Sequence, residues 1–291
     1  MMVELVRAIT ADGITLDGAF HAPESTSATD RLPVDLALLV HGTGSNFYAP
    51  GILESVAAAM VAAETPALRI NTRGHDGLVG RRGGAALEDI DACRSDLAAW
   101  VDWALARKLD RIVLIGHSMG GVKSIYAAAA GLTPTAIVAI SPPRFCHQMY
   151  QEDPRAKAFR EDYLRARTLV EQGRGKDLIL VRQPLPLWIQ AEGFLDKYGP
   201  ADRFDLVAHL PAVDCPVLVL VGSHTVENSP AFNNLPDDLA ALKLPAGQLA
   251  IQVIPGADMD YSNDPLEPCR RAADWLHSLQ SPANHSRSDT H

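Results

Sequence analysis

The sequence predicts an α/β fold with a mostly parallel eight-stranded sheet flanked by helices. Three observations predict it. Short apolar runs alternate with helical segments up to about residue 141, as repeated β-α-β units require. The alternation stops at Pro143 and resumes at Pro216, which indicates an insertion into one domain. A G-x-S-x-G turn joins one strand to the helix that follows it.

The individual elements follow from local patterns, taken in chain order. Two alternating runs on either side of Ala11-Asp12-Gly13 predict a β-hairpin. Further strands are predicted at V-D-L-A-L-L-V-H-G, 67–71, 111–117, 136–141, 216–222 and 249–254. Helices are predicted at about 52–63, 87–108, 119–130 and 266–279.

Residues 143–211 form the insertion. The segments D-P-R-A-K-A-F-R-E-D-Y-L-R-A-R and P-L-W-I-Q-A-E-G-F-L have helical patterns, so we expect a helical cap over the carboxyl edge of the sheet. The core domain then consists of residues 1–142 and 212–280. Residues 281–291 are polar and are expected to be a flexible, frayed tail.

Composition narrows the class of protein. A net charge of −9 argues against nucleic-acid binding and favours small-molecule partners. The N-terminal segment does not resemble a signal peptide, and no apolar run approaches the roughly 20 residues of a membrane span. The four cysteines show no C-x-x-C spacing. We therefore expect a cytoplasmic protein with free thiols and neither metal nor organic cofactor; the sequence does not fix its oligomeric state.

The turn G-H-S-M-G-G places Ser118 between a strand and a helix. Glycines at 116 and 120 suit a strained turn where side chains would collide with neighbouring backbone. This context predicts that Ser118 is a nucleophile. Acyl transfer also needs two backbone N–H donors for the oxyanion. We expect them from Met119, directly after the serine, and from Thr43 in the earlier H-G-T-G loop.

With these motifs the chain resembles the α/β-hydrolase fold family over nearly its whole length. The hairpin, H-G-T-G, N-T-R-G-H-D-G, the serine turn, the late insertion, P-V-L-V-L-V-G-S and V-I-P-G-A-D follow the family's order. The resemblance is greatest to esterase and lactonase-like branches with a helical cap. It implies an acid after the seventh strand and a histidine after the eighth.

Both of those positions depart from the family pattern. Thr225 occupies the usual aspartate position, and Glu227, two residues later, is the candidate acid. Where members often read P-G-A-D-H, this chain has Met259. A thioether is at most a weak acceptor and cannot act as a base at neutral pH. The resemblance therefore implies a vacated histidine position.

Three accounts of the missing base stay open. Another group supplies it, namely His224 in the acid loop, Asp258 or Asp260. Alternatively, the protein has lost hydrolysis and uses the pocket for binding or for other chemistry. Finally, Met259 is an engineered or chance replacement of a histidine in an ordinary esterase.

Other polar residues are assigned lesser roles. His75 resembles a structural loop histidine of the family, and His117 is expected to face away from the serine and to pack. Arg81, Arg82 and Arg144 lie in loops, where they either face the pocket and attract a carboxylate-bearing substrate or, as is commoner, are solvated. The sequence thus predicts a serine hydrolase of a small carboxylic ester or lactone with an atypical triad; the alternative is a silent or weakly active ligand-binding protein.

Overall fold

The computed structural model describes residues 2–24, 31–77 and 84–279. The strands of the main sheet are β1 (Met2–Ile9), β2 (Thr15–Ala22), β3 (Leu36–Val40), β4 (Ala67–Ile70), β5 (Ile112–His117), β6 (Ala136–Ile140), β9 (Val217–Gly222) and β10 (Leu249–Ile254). Two further strands, β7 (Leu178–Val181) and β8 (Leu187–Gln190), form a separate hairpin. The predicted fold class is confirmed.

The main sheet has the order β1-β2-β4-β3-β5-β6-β9-β10. Strand β2 pairs antiparallel with β1 and β4, and all other neighbours are parallel. The carboxyl ends of the parallel strands therefore meet at one edge, where loops from several strands can build a site.

Helices flank both faces of the sheet. They are α1 (Ile52–Ala62), α2 (Cys93–Leu105), α3 (Met119–Ala129), α4 (His147–Glu152), α5 (Lys157–Glu171), α6 (Ala191–Tyr198), α7 (Leu206–His209), α8 (Ser223–Asn228), α9 (Leu235–Ala240) and α10 (Glu267–Ser278). Short 3₁₀ turns occupy Gly84–Leu87, Pro154–Ala156, Leu210–Ala212 and Pro230–Phe232.

Strand alternation divides the core between the two faces. Leu38 of β3 belongs to the apolar cluster that includes Trp100 of α2 and Val122 of α3. Its neighbour Leu39 belongs to the other cluster, which includes Met60 of α1. Because both faces are covered, the central strands β3, β6 and β9 are apolar throughout, as parallel strands usually are.

The segment before α2 differs from its prediction. A single helix over 87–108 is wrong, since a 3₁₀ turn ends at Leu87 and α2 begins only at Cys93. Glu88 is buried between two lysines, and Asp89 Oδ1 accepts the N–H of Ala92 at 3.0 Å. The long-range ion pairs of Glu88 override the local helical pattern, and the bond from the N–H of Ala92 to Asp89 lies in the turn just before the later start of α2.

The insertion also contains a feature that helical patterning does not predict. The stretch Leu187–Gln190 was expected to be helical, but it forms strand β8. Its partner β7 alternates exposed Leu178 and Leu180 with buried Ile179 and Val181. This period of two is typical of a strand with one face covered. The helical expectation is therefore wrong for this hairpin. Each of its strands has four residues, which is too short for the sequence pattern to distinguish a strand from a helix.

Some expectations fall outside the described residues. These are the ones for Arg81, Arg82 and the tail 281–291. In the part of the chain that is described, no helix combines the length and apolar character needed to cross a membrane. All four cysteines are free thiols.

Candidate active site

Ser118 lies at the tip of a strained turn between β5 and α3. Its φ of 54° and ψ of −125° place it in a region that non-glycine residues rarely adopt. Its N–H donates to Ile140 O at 2.8 Å, which ties the turn to β6. The residue is half-buried. Such strain is of the order of 1–3 kcal/mol and persists only where the surroundings enforce it.

Two glycines allow the strand and helix to approach at this turn. A Cβ on Gly116 would lie 2.2 Å from the carbonyl carbon of Gly120. A Cβ on Gly120 would lie 1.9 Å from Val40 O. Both contacts are with backbone, so neither can be relieved by rotating a side chain. The packing of β3, β5 and α3 therefore fixes the conformation of Ser118.

We expect Gly120→Ala to destabilise the fold by about 1–3 kcal/mol, since overpacking against backbone forces the helix and strand apart. The free energy of unfolding from urea titration measures the effect. Gly193→Ala is the matched control, because its nearest non-local atom would be 3.8 Å from the new Cβ. Equal stabilities of the two variants would contradict this account.

The H-G-T-G loop lies directly beside Ser118. A Cβ on Gly42 would be 3.1 Å from the Cβ of Ser118. Among the described residues, neither the N–H of Thr43 nor that of Met119 has a hydrogen-bond acceptor. Met119 is the first residue of α3, where a backbone N–H is free of intrahelical bonds. Two donors thus remain available next to the serine.

His41 holds this loop in place. Its Nδ1 donates to Gly42 O at 2.7 Å, and its Nε2 accepts the N–H of Thr72 at 3.1 Å. Burial lowers the pKa of His41 to about 3, and nearby Lys123 adds to the effect. The ring is therefore neutral at physiological pH and serves the loop's structure.

Met259 lies in the loop after β10. His117 Nε2 donates to Met259 O at 3.1 Å, so this loop is bonded to the residue that precedes Ser118. The Met259 side chain is half-buried and packs against the apolar cluster that contains Met119. The expected base loop is thus beside the serine turn, with a thioether in place of an imidazole. His117 is largely buried, which lowers its pKa.

The loop after β9 is short because the chain enters α8 at once. It contacts the Met259 loop through the N–H of His224, which donates to Ala257 O at 3.1 Å. The side chains of His224 and Glu227 are exposed, and in the described part of the chain neither makes a hydrogen bond or ion pair. Thus neither side chain is held against Ser118.

The two aspartates beside Met259 are also not bonded to the serine. Asp258 Oδ1 accepts backbone N–H groups from Asp260 and Ser262, and the bonds to Ser262 contribute most to lowering its pKa. Asp260 is exposed, and its Oδ1 lies 3.9 Å from His117 Nε2. Across the described residues, Ser118 Oγ has no hydrogen-bond partner.

Sequence comparison now adds to this geometry. The sequence pattern that defines the Alpha/beta hydrolase family matches residues 37–274. The chain belongs to this family. A search of the curated proteins found no match.

The structure of this alpha/beta hydrolase family member is similar to solved structures of several other proteins. GrgF, an alpha/beta hydrolase from a Penicillium species, is 17% identical with a TM-score of 0.67, over 96% of this chain and 99% of that one. The Pyrococcus furiosus esterase Pf2001 is 15% identical with a TM-score of 0.63, over 96% and 92%. Dienelactone hydrolase from Anabaena variabilis is 18% identical with a TM-score of 0.60, over 95% and 97%. At these identities the likeness concerns the fold.

A buried charge cluster in this family member was missed by sequence reasoning. Glu88 lies between Lys123 of α3, at 2.6 Å, and Lys197 of α6, at 2.7 Å. All three side chains are buried. Lys123 offered a signal, because it is the one charged residue in the apolar helix M-G-G-V-K-S-I-Y-A-A-A. Lys197 and Glu88 offered none, as they sit in ordinary polar surroundings along the chain.

A small cavity lies between the cap and the residues next to the Ser118 turn. The cavity has a volume of about 30 Å³ and is lined by Thr43 and Met119 from the core and by Gln183, Lys197 and Tyr198 from the cap. The remaining lining is apolar and comes from β7, β8, their connection and α6. The cap hairpin therefore covers the carboxyl ends of β3 and β5.

Two further residues singled out in the sequence, His75 and Arg144, pair with carboxylates in the structure. His75 Nδ1 lies 2.8 Å from Asp76 Oδ2 within its loop. Arg144 is buried and paired with Asp205 at 2.6 Å and with Asp238. The expectation that Arg144 is a solvated arginine is therefore wrong, because the side chain is buried and its charge is balanced by two carboxylates from different parts of the chain.

Proposed function

We propose that the protein is a serine-dependent hydrolase of a small carboxylic ester or lactone that acts through an acyl-enzyme. The observation that carries the proposal is the strained Ser118 beside two backbone N–H groups that have no acceptor among the described residues. Membership of the Alpha/beta hydrolase family supports it. The esterase and dienelactone hydrolase among the similar structures are consistent with this class of substrate.

In the proposed reaction, Ser118 Oγ attacks the carbonyl carbon and the carbonyl oxygen becomes an oxyanion. The N–H groups of Thr43 and Met119 donate to that oxygen. The proton lost from Ser118 Oγ is relayed by solvent water to the alcohol oxygen, and collapse of the tetrahedral intermediate breaks the bond to that oxygen, which leaves as the neutral alcohol. Water then attacks the acyl-enzyme, releases the carboxylic acid and restores the serine hydroxyl.

The serine proton has no side-chain acceptor in the described structure, so we expect slow turnover. General-base assistance is typically worth about 10²- to 10⁴-fold. An oxyanion hole and substrate binding alone leave roughly 10³- to 10⁴-fold catalysis over water. His224, Asp258, Asp260 and Glu227 remain proposals for the base and acid.

A second candidate function is ligand binding without turnover. Met259 at the expected base position, packed against the apolar cluster, favours it. On this account the cap and the serine turn enclose a ligand, and the donors of the site bind its carbonyl or carboxylate oxygen.

A serine-directed fluorophosphonate distinguishes the two functions. We expect stoichiometric labelling of the wild-type protein, with the added mass located at Ser118 by peptide mass spectrometry, because the N–H groups stabilise a tetrahedral phosphorus centre as well as a carbon one. Ser118→Ala is the control and should stay unlabelled. Absence of labelling in the folded wild-type protein would contradict the hydrolase proposal.

A further inference from the structure

The buried cluster contains more positive than negative charge. Lys123 and Lys197 bring two ammonium groups to the single carboxylate of Glu88. Another buried carboxylate nearby, Asp96, is paired with Arg73 at 2.7 Å. Both lysines contact Glu88, which leaves one positive charge in excess in the cluster. Burial of an excess charge is unfavourable, so an additional anion would stabilise this arrangement.

Lys197 is the member of the cluster that reaches the cavity. It lines the cavity wall and is 4% exposed, while its Nζ donates to Glu88 Oε2 at 2.7 Å. That is the one hydrogen bond it makes among the described residues. Since an ammonium group has three donors, Lys197 retains capacity for an acceptor in the cavity.

Two hydroxyl groups share this cavity without hydrogen-bond partners. Thr43 and Tyr198 both line it, and within residues 2–24, 31–77 and 84–279 neither hydroxyl is bonded. The exposed fraction of Tyr198 is 8%. Burial and the negative charge of Glu88 raise its pKa, so the phenol remains a proton donor. The cavity thus presents donors and a positive charge but no acidic side chain.

The size of the cavity limits its occupant. A volume of about 30 Å³ has room for roughly two water molecules or one carboxylate-sized group. Ser118 is not among its lining residues, whereas Thr43 and Met119 are, so the cavity lies next to the proposed oxyanion donors and not around the nucleophile itself. A carboxylate supplies a negative charge and acceptor oxygens that complement the Lys197 ammonium and the two hydroxyl donors.

We propose that this cavity is a carboxylate subsite formed by Lys197, Tyr198 and the Thr43 hydroxyl, and that the substrates are acidic esters or lactones with a free carboxylate close to the scissile bond. The part of this inference that names the substrates rests on the proposed ester hydrolysis. The part that assigns a carboxylate-binding site can be tested by binding measurements without turnover.

Binding to the Ser118→Ala variant tests the subsite without turnover. We expect calorimetry at pH 7 to show that monomethyl succinate binds at least about tenfold more tightly than dimethyl succinate, which has no charge. Lys197→Met should reduce this ratio to about one. That variant leaves Glu88 paired one-to-one with Lys123, so it is expected to fold. Lys176→Met, at an exposed cap position, is the matched control and should keep the ratio.

Tyr198→Phe provides a second variant that removes one donor and little volume. We expect it to lower the ratio by about threefold or more. Equal binding of the two esters, or a ratio unchanged in both Lys197→Met and Tyr198→Phe, would overturn the subsite. If Ser118→Ala prefers the monoester but fluorophosphonate does not label the wild-type protein, the subsite is retained and ester hydrolysis is refuted.

Discussion

Met259→His is expected to raise the rate of short-chain ester hydrolysis by about 10²- to 10⁴-fold, the usual contribution of a general base. The loop that carries residue 259 is already bonded to His117 beside the serine turn. An imidazole there would supply an acceptor for Ser118 Oγ, which has none in the described part of the chain. Initial rates with 4-nitrophenyl acetate, measured from pH 5 to 9, give the increase and its dependence on imidazole deprotonation near pH 6.5.

Two control variants separate a gained base from a general change in the pocket. Met259→Gln has similar length and a polar end but no basic nitrogen, so its rate should stay close to that of the wild type. Met259→His combined with Ser118→Ala should lose the gain. An unchanged rate in Met259→His, despite normal fluorophosphonate labelling, would show that residue 259 does not occupy the base position.

Glu88→Gln is expected to lower the free energy of unfolding by about 3–5 kcal/mol, the typical result of removing one partner from buried ions. The change leaves Lys123 and Lys197 buried without a carboxylate. Urea or guanidinium titration measures it. Glu4→Gln, at an exposed position of β1, should change the free energy by less than about 0.5 kcal/mol.

The same residue predicts loss of stability in acid. Burial opposes ionisation of Glu88, but Lys123 and Lys197 outweigh it and lower its pKa to about 2 from 4.5. A lowered carboxyl pKa stabilises the folded state above the unfolded-state value, and this contribution disappears as pH falls from about 4.5 to 2. Its full size is roughly 3 kcal/mol. Glu88→Gln should therefore show a weaker dependence of stability on pH across that interval.

The sheet could be predicted from sequence because each strand carries its own signal. Apolar runs such as Leu36–Val40 and Leu249–Ile254 are bounded by turn residues, and the helices between such runs indicate parallel pairing. The cap hairpin and the start of α2 could not be predicted in the same way. Their conformations depend on contacts with distant residues, as with Glu88 between lysines that lie 35 and 109 positions further along the chain.

The serine turn is the part of the site most open to prediction, since its glycines and flanking elements are contiguous in sequence. The structure confirms the strand, turn and helix around Ser118, while the catalytic roles stay predictions. The carboxylate subsite combines Thr43 with Lys197 and Tyr198 from the cap. No local pattern indicates that residues so far apart line one cavity.

Close backbone packing at Gly116 and Gly120 and the hydrogen bond to Ile140 O hold Ser118 in its strained conformation. Among the described contacts of this turn, residue 259 takes part through its backbone oxygen, which His117 binds, and not through its side chain. The fold of the nucleophile turn therefore does not depend on which side chain residue 259 carries. Substitutions of that side chain are expected to change reactivity at Ser118 while the turn itself stays folded.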